Sequence, residues 1–288
     1  MTEKPLVSVI INCYNSEKYL RETIDSLIAQ TYTNWEAIFW DNCSTDKTAE
    51  IIKSVCDKRI CYYYAERNTS IGEARNLALK KVSGNYICFL DSDDLWNSCF
   101  LEACISNIEK SEAGLIYTRF TYFNEEQSSL AVSYQTDGVV PLKKLIESYN
   151  IGMSAAVFRA NLITKDKLLF DNSFSLIEDF DFFIRIASLT KVYYLQEPLM
   201  WYRCHSNNLS YSDKWVSELS ILLEKIESDS NLRQYRKSIR RRKELYQFKQ
   251  IFKSRGKTKA LKYACEHLWS NYKFLKYILL LLRGVESF

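Results

Sequence analysis

Apolar and polar positions along the first hundred residues switch repeatedly between two periods. Leu6-Val7-Ser8-Val9-Ile10-Ile11 is a nearly continuous apolar run, the pattern of a parallel strand covered on both faces. Within 16–30, Tyr19, Leu20, Ile24, Leu27 and Ile28 fall on one helical face. Trp35–Trp40 predicts a second strand, and Asp46 predicts the cap of a helix carrying Ile51, Ile52 and Val55. Ile60–Tyr64 predicts a third strand. Ser70-Ile71-Gly72-Glu73 has capping-box spacing and predicts a helix through Lys80. A fourth strand, Tyr86–Leu90, runs straight into Asp91-Ser92-Asp93-Asp94. Repeated strand–helix order with short connections predicts an open α/β sheet, mostly parallel, with helices on both faces. Such sheets bind ligands at the carboxyl ends of their strands. The polar clusters Asn12–Asn15, Asp41–Ser44 and Asp91–Asp94 all fall there.

Beyond residue 113 the pattern is less regular. Strands are expected near Leu115–Thr118, Ala155–Phe158, Val192–Leu195 and Leu199–Tyr202, and helices over 142–149 and Asp179–Ser188. From 214 onward the spacing is helical, and there is no internal repeat. Charge marks the same boundary. Residues 1–214 hold 22 Lys+Arg against 28 Asp+Glu, while 215–288 hold 17 against 7. The reading is a catalytic-type domain over 1–214 and a basic helical region over 215–288, the latter suited to an anionic partner.

Composition narrows the class. With 47% apolar and 26% charged residues, seven Gly and three Pro, the chain is a folded globular one. No run of 18 apolar residues predicts a spanning helix, and the N-terminal apolar run is too short for a signal peptide. Nine cysteines without a Cys-x-x-Cys pair read as small buried hydrophobes in a reducing compartment. With only His205 and His267 available, a Cys/His zinc site is not expected. The absence of G-x-G-x-x-G after the first strand, of G-x-x-x-x-G-K-[ST] and of G-x-S-x-G argues against a dinucleotide dehydrogenase, a P-loop NTPase and an α/β-hydrolase.

Four features carry chemistry. Asp91-x-Asp93, with Asp94 beside it, puts carboxylates at a strand end, where they repel unless a cation such as Mg²⁺ or Mn²⁺ neutralises them. An acidic turn capping the next helix fits the same residues equally well. Glu178-Asp179, followed by Asp181 among Phe180, Phe182 and Phe183, suits either helix-dipole partners or a general base of raised pKa. Arg75-Asn76 suits a phosphate clamp or a salt bridge. Tyr202-Arg203-Cys204-His205 ends a strand with one histidine, a structural group or a ligand.

Taken in order, these pieces resemble the inverting GT-A glycosyltransferases of family 2. Val7–Asn15 is similar to the V-S-V-I-I-P-x-Y-N opening, Gln30-Thr31-Tyr32 with Trp35-Glu36 and Asp41–Asp46 to Q-T-Y…E…D-D-G-S-T-D, and Asn68–Gly72 with Ala74-Arg75-Asn76 to the G-x-x-x-A-R-N helix start. Leu90–Asp94 resembles D-x-D, Glu178-Asp179 the E-D pair, and Tyr202–His205 Y-R-x-H. The match covers about residues 6–212, with Asn12, Asn42 and Cys43 departing from the family's Pro, Asp and Gly.

The resemblance implies a GT-A fold and a metal-dependent, inverting hexosyl- or N-acetylhexosaminyl-transferase. It would use a nucleotide-diphosphate sugar, a UDP-sugar above all, and a hydroxyl of a glycan or lipid-linked glycan. It implies Asn12, Tyr14, Asp41, Asn42, Arg75, Asp91, Ser92, Arg203 and His205 at the donor, with Asn42 pairing the nucleobase by its amide. It implies Asp93, with Asp91 and His205, at Mn²⁺ or Mg²⁺. Asp179 would be the base, supported by Glu178 and Asp181. The competing reading is a catalytically weak GT-A-like module binding nucleotide-sugar or glycan within an assembly.

The tail adds a possible location. Residues 233–262 contain thirteen Lys/Arg and one acid, Glu244, and Tyr272–Leu282 is strongly apolar. This predicts a protein at the cytoplasmic, inner face of the cell membrane, with Tyr272, Phe274, Leu275, Ile278 and Leu279 inserting. The alternative is a helical bundle with a solvated basic face. The tail has no motif with groove geometry, so nucleic acid is not an expected partner.

Overall fold

The structure is a computed structural model that describes residues 4–130, 136–166, 168–205, 214–268, 271 and 273–282. The chain divides into two compact units, Met1–Leu142 with Asn150–Asn208, and Lys143–Tyr149 with Leu209–Phe288.

The first unit is built on a mixed sheet with ten strands among the described residues. Its amino-terminal half is parallel. Strand β1 (Val7–Cys13) lies between β2 (Trp35–Asp41) and β4 (Tyr86–Phe89), and β3 (Ile60–Tyr64) lies outside β2. Val7, Val9, Ile10 and Ile11 are fully buried, as a strand covered on both faces requires. Val9, Ile11 and Cys13 join one core with Leu20, Ile24 and Leu27 of helix α1 (Leu20–Ile28). Each such aliphatic chain contributes about 1.5–3 kcal/mol on burial. The acid at 46 anchors the start of α2 (Thr48–Lys53) by accepting the Thr48 N–H at 3.0 Å. Helix α3 (Ile71–Leu79) begins where the capping-box spacing placed it, and Ser70 Oγ accepts the Glu73 N–H at 3.3 Å. Gly84 makes β1 and β4 register tightly. A Cβ there would stand 2.7 Å from Leu6 O and Ser8 N, while its own N–H donates to Ser8 Oγ.

The rest of the sheet departs from the expected parallel pattern. Strand β9 (Ala156–Arg159) inserts antiparallel between β4 and β6 (Leu115–Phe123). The two strands expected around Pro198 are one, β10 (Val192–Arg203), parallel to β6 and with register shifts on either side of Pro198. A proline has no N–H for the ladder, so the pairing breaks there without ending the strand. Short antiparallel strands β5 (Leu95–Trp96), β7 (Ser128–Leu130) and β8 (Gly138–Val139) had no periodic signal. Among the helices of this unit, α4 (Phe100–Ser111) covers the sheet with Phe100, Leu101, Cys104, Ile105 and Ile108, and α7 (Glu178–Ala187) buries Phe180, Phe182, Phe183 and Ile186; a short helix α6 (Asn161–Asp166) precedes it.

The second unit contains most of α5 (Leu142–Glu147), then α8 (Trp215–Ser228), α9 (Arg236–Arg255), α10 (Lys257–Glu266) and α11 (Lys273–Leu282). Phe248, Ala260, Ala264 and Phe274 form its small core, with Tyr277 and Ile278 packed against it. Phe274 is therefore unable to enter a bilayer as expected; of the residues assigned to insertion, Leu275 and Leu279 are exposed, and Tyr272 lies outside the described residues. No helix among the described residues is long and apolar enough to cross a membrane. Of the nine cysteines, Cys13, Cys88 and Cys104 are buried, whereas Cys56 and Cys265 are exposed.

Candidate active site

Three acidic or polar clusters meet at the carboxyl edge of the parallel strands, and each is built differently.

At the end of β2, the turn expected to read the nucleobase is largely spent on itself. Asp41 is fully buried and accepts from the Ser44 N–H (2.8 Å) and from the Tyr62 hydroxyl (2.7 Å). Asn42 gives its amide N–H to Thr69 O at 2.8 Å, and its Oδ1 accepts from the Thr69 N–H and hydroxyl at 3.2 and 3.0 Å. This amide therefore ties the turn to the 68–70 loop. Cys43 holds the left-handed conformation (φ 69°) that the family's glycine would supply, a strain of roughly 1–2 kcal/mol for a residue with a Cβ. Tyr14 is 57% exposed, beside Asn15, which is also left-handed (φ 50°). Asn12 stands next to Trp40 in the β1–β2 register, and both polar atoms of its side chain are buried without a partner. Ser92 joins the β1 loop to the acidic turn through Ser16, Oγ to Oγ at 2.9 Å.

The acidic turn after β4 is held from behind by groups that spacing did not reveal. Asp94 is buried; it accepts the Arg203 N–H at 3.0 Å and the Ser154 hydroxyl at 2.6 Å. Ser154 is fully buried and its Oγ in turn accepts the Asp91 N–H at 3.0 Å, so one hydroxyl fixes both ends of the acidic turn. Burial pushes the Asp94 carboxyl well above the usual range, and the charges of Asp91 and Asp93 add to this. Arg203, expected at the donor, braces the turn. Its guanidinium donates to Asp93 O (2.8 Å) and to Glu22 of α1 (2.8 Å) and packs over Tyr19 and Phe123. His205 Nε2 lies 2.8 Å from Asp93 Oδ2, and its ring stacks on Tyr19. Ser206, Asn207 and Asn208, which follow it in sequence, lie outside the described residues.

The third cluster joins α3 to α7. Arg75 is buried, with Nη1 2.8 Å from Glu178 Oε1 and Nη2 3.4 Å from Asp91 Oδ1. Expected at the ribose or diphosphate, it is engaged by two carboxylates. Burial opposes its charge, but Asp91, Glu178 and Asp179 outweigh that and hold the guanidinium above its ordinary range. Desolvation raises the Asp91 carboxyl; Arg75 opposes this while Asp93 and Glu178 reinforce it. Asp179 lies in the first turn of α7 and accepts the Phe180 N–H at 2.6 Å. Asp181, expected to support the base, is 1% exposed and gives both contacts of its Oδ2 to Arg185 one turn later (2.6 and 2.9 Å); it serves the helix.

The donor set at the acidic turn fits a hard divalent cation. Asp93 offers a carboxylate and His205 an imidazole in mutual contact, with the Asp91 carboxyl destabilised as an anion by burial first and by its acidic neighbours in addition. Among the described residues no group of three or more His, Cys, Asp or Glu side chains is arranged to hold a metal unaided. Such a cation would need oxygens from elsewhere, as a diphosphate supplies.

A sheet with helices on both faces and an acid-lined carboxyl edge defines the class: the domain has the GT-A fold. It is similar to the S. aureus TarS 1–349 crystal structure in complex with UDP-GlcNAc, with a TM-score of 0.72 at 20% identity, covering 96% of this chain and 81% of that one. The chain belongs to glycosyl transferase family 2, whose model matches residues 8–169. It is 33% identical over 212 residues to an uncharacterized glycosyltransferase of Rickettsia typhi, covering 71% of this chain. It is 36% identical over 129 residues to the putative teichuronic acid biosynthesis glycosyltransferase TuaG of Bacillus subtilis, covering 44% of this chain. The chain spans 65% and 51% of the lengths of these two relatives. It is also 34% identical over 158 residues to the Escherichia coli UDP-Glc:alpha-D-GlcNAc-diphosphoundecaprenol beta-1,3-glucosyltransferase WfgD, covering 55% of this chain and 62% of that protein.

Proposed function

We propose that this protein transfers a hexosyl or N-acetylhexosaminyl group, with inversion, from a UDP-sugar to a hydroxyl of a glycan or lipid-linked glycan. The observation that carries the reading is the meeting of Asp91 and Glu178-Asp179 around Arg75, which brings a diphosphate-side acid and a base candidate to one edge. Asp93 and His205 would hold Mn²⁺ or Mg²⁺, which when bound neutralises the departing diphosphate. Ser154, Asp94 and Arg203 fix the acidic turn so that these groups are oriented before the donor arrives. Asp179 accepts the proton of the acceptor hydroxyl as its oxygen attacks the anomeric carbon, and the carbon–phosphate oxygen bond breaks to release UDP. General-base catalysis contributes roughly 10²–10⁴-fold. The names of WfgD and of the TarS complexes favour UDP among nucleotides and a diphospholipid-linked sugar among acceptors. The second unit, with Arg236, Lys237, Arg240, Lys249 and Lys253 exposed on α9, would meet the anionic inner face of the membrane where such an acceptor is presented.

The test is thermal stabilisation by UDP, GDP, ADP, UDP-glucose and UDP-GlcNAc, with and without Mn²⁺, followed by UDP release from the sugars that bind. The expected outcome is Mn²⁺-dependent stabilisation by UDP above GDP and ADP, then slow UDP release. Binding with no release from any donor favours a non-catalytic binding module; no stabilisation by any nucleotide overturns the reading.

A further inference from the structure

Arg75 and Asn76 are adjacent on α3, and both grip the segment that leads into the base helix. Asn76 makes a two-point clasp on the backbone of Phe170, donating to its O at 2.9 Å and accepting its N–H at 2.8 Å. Arg75 reaches Glu178, 103 residues away in sequence, and Asp91 on the opposite side. Its guanidinium lies over the rings of Phe89 (5.9 Å) and Phe170 (5.4 Å), so it has little freedom to turn. Glu178 is 7% exposed, and its second oxygen, Oε2, is buried without a partner.

Fold stability gives a poor reason for this arrangement. Two charges have been taken out of water, and one carboxylate oxygen is left unsatisfied. Replacing such a pair by apolar groups of similar volume is often neutral or stabilising, while removing one partner alone is damaging. A buried, half-satisfied pair that links the acidic turn to the first turn of α7 suits a geometric task better.

We infer that Arg75 and Glu178 are positioning residues for the proposed transfer: a strut that sets the Asp179 carboxylate at a fixed span from Asp91 on the donor side. The inference rests on the transfer reading. Neither residue takes a proton or touches the donor. Arg75 holds Asp91 and Glu178 at its two nitrogens, and Glu178 passes the constraint through one peptide bond to Asp179. Only a forked guanidinium spans both acids; a lysine ammonium is a single point. Misplacing a reacting group by about 1 Å costs on the order of 10²-fold.

The experiment measures UDP release from UDP-glucose or UDP-GlcNAc, whichever the unaltered protein turns over, alongside UDP affinity and melting temperature. The Arg75→Met/Glu178→Leu double variant is expected to melt at or above the original temperature and keep its UDP affinity. Its kcat should fall about 10²-fold. Arg75→Lys should be intermediate. Glu178→Gln keeps an oxygen for Arg75 and tests the same point if the double variant does not fold; kcat should fall with the donor KM unchanged. Unchanged kcat in either variant overturns the inference, as does a loss of UDP affinity matching the loss of kcat, which makes Arg75 a donor ligand. If the unaltered protein binds UDP but releases none from any donor, the transfer reading itself falls and takes the strut with it.

Discussion

Replacing Ser154 by alanine tests how the acidic turn is held. The hydroxyl is fully buried, donates to Asp94 Oδ2 at 2.6 Å and accepts the Asp91 N–H at 3.0 Å. Alanine leaves both without that partner at a position that is fully buried. Asp94 keeps only the Arg203 N–H among these bonds. Each buried group left unsatisfied costs about 1–3 kcal/mol, so the pair costs roughly 2–5 kcal/mol after minor relaxation. For a unit of about this size, 1 kcal/mol moves the melting temperature by about 2–4 °C, giving an expected fall of roughly 4–20 °C. Because the same hydroxyl fixes the turn carrying Asp91 and Asp93, Mn²⁺-dependent UDP affinity should fall as well, in protein that is still folded. The assays are urea unfolding and a UDP titration with and without Mn²⁺ at a temperature where the variant is native. A stability loss below about 0.5 kcal/mol with unchanged UDP affinity would show that Ser154 neither stabilises nor positions the turn.

Asp93→Ala should abolish Mn²⁺-dependent UDP stabilisation while leaving melting in the absence of ligand near its original value; retained Mn²⁺ dependence would move the metal site elsewhere. Asp179→Asn should keep UDP affinity and lose turnover by about 10²-fold or more, measured as UDP release, and near-normal turnover would remove Asp179 as base. Burial raises the thiol pKa of Cys13, Cys88 and Cys104, so these stay protonated in the fold at pH values where unfolded thiols, near 8.5, ionise. The unfolded state then binds fewer protons, and stability should be flat near pH 7 and fall above about pH 8.5, by up to about 1.4 kcal/mol per pH unit for each thiol. Urea titrations from pH 7 to 10 would show this, with the slope reduced in Cys→Ala variants. Binding of the full chain to phosphatidylglycerol vesicles should be strong at low salt and weaken steeply as salt rises, since about four engaged cations at ~1 kcal/mol each give roughly a thousandfold. Leu275→Glu/Leu279→Glu should remove the salt-resistant part, and equal binding to neutral vesicles would refute the electrostatic reading.

The parallel half of the sheet was legible because each of its elements is specified locally. Val7–Ile11 has the uninterrupted apolar run, and Ser70 and Glu73 stand at the spacing that starts α3. The acidic turn and the Glu178-Asp179 pair were also visible as residues, since carboxylates cluster conspicuously. What each side chain touches was not. Asp181 and Asp179 look alike in sequence, and only the structure shows that Arg185, one turn along α7, pairs with Asp181. That Asn42 ties the turn to Thr69 could not be read from spacing, because Thr69 is 27 residues away. Ser154 sits in a stretch without motif or period, and only the antiparallel insertion of β9 carries it behind the turn. In the tail, one apolar stripe served two readings, and the burial of Phe274 against Phe248 decided how much of it remains outward.

The assignment of 143–149 to the second unit has a consequence for modularity. The chain leaves the first unit after Leu142, contributes Lys143–Tyr149 to the second, and returns at Asn150 before leaving again. Glu147 accepts from the Ser238 hydroxyl at 3.0 Å, and the Ile146 carbonyl accepts from Arg242 at 3.3 Å. The basic unit is therefore no detachable cassette. A fragment ending near 208 would retain α5 without these partners, with Leu145 and Ile146, both fully buried in the whole chain, at risk of exposure. A graft of the tail onto another domain would in turn lack the helix it was built around. Any exchange of this unit between relatives would have to move two pieces of chain together, which couples changes around residue 145 to changes around residue 240.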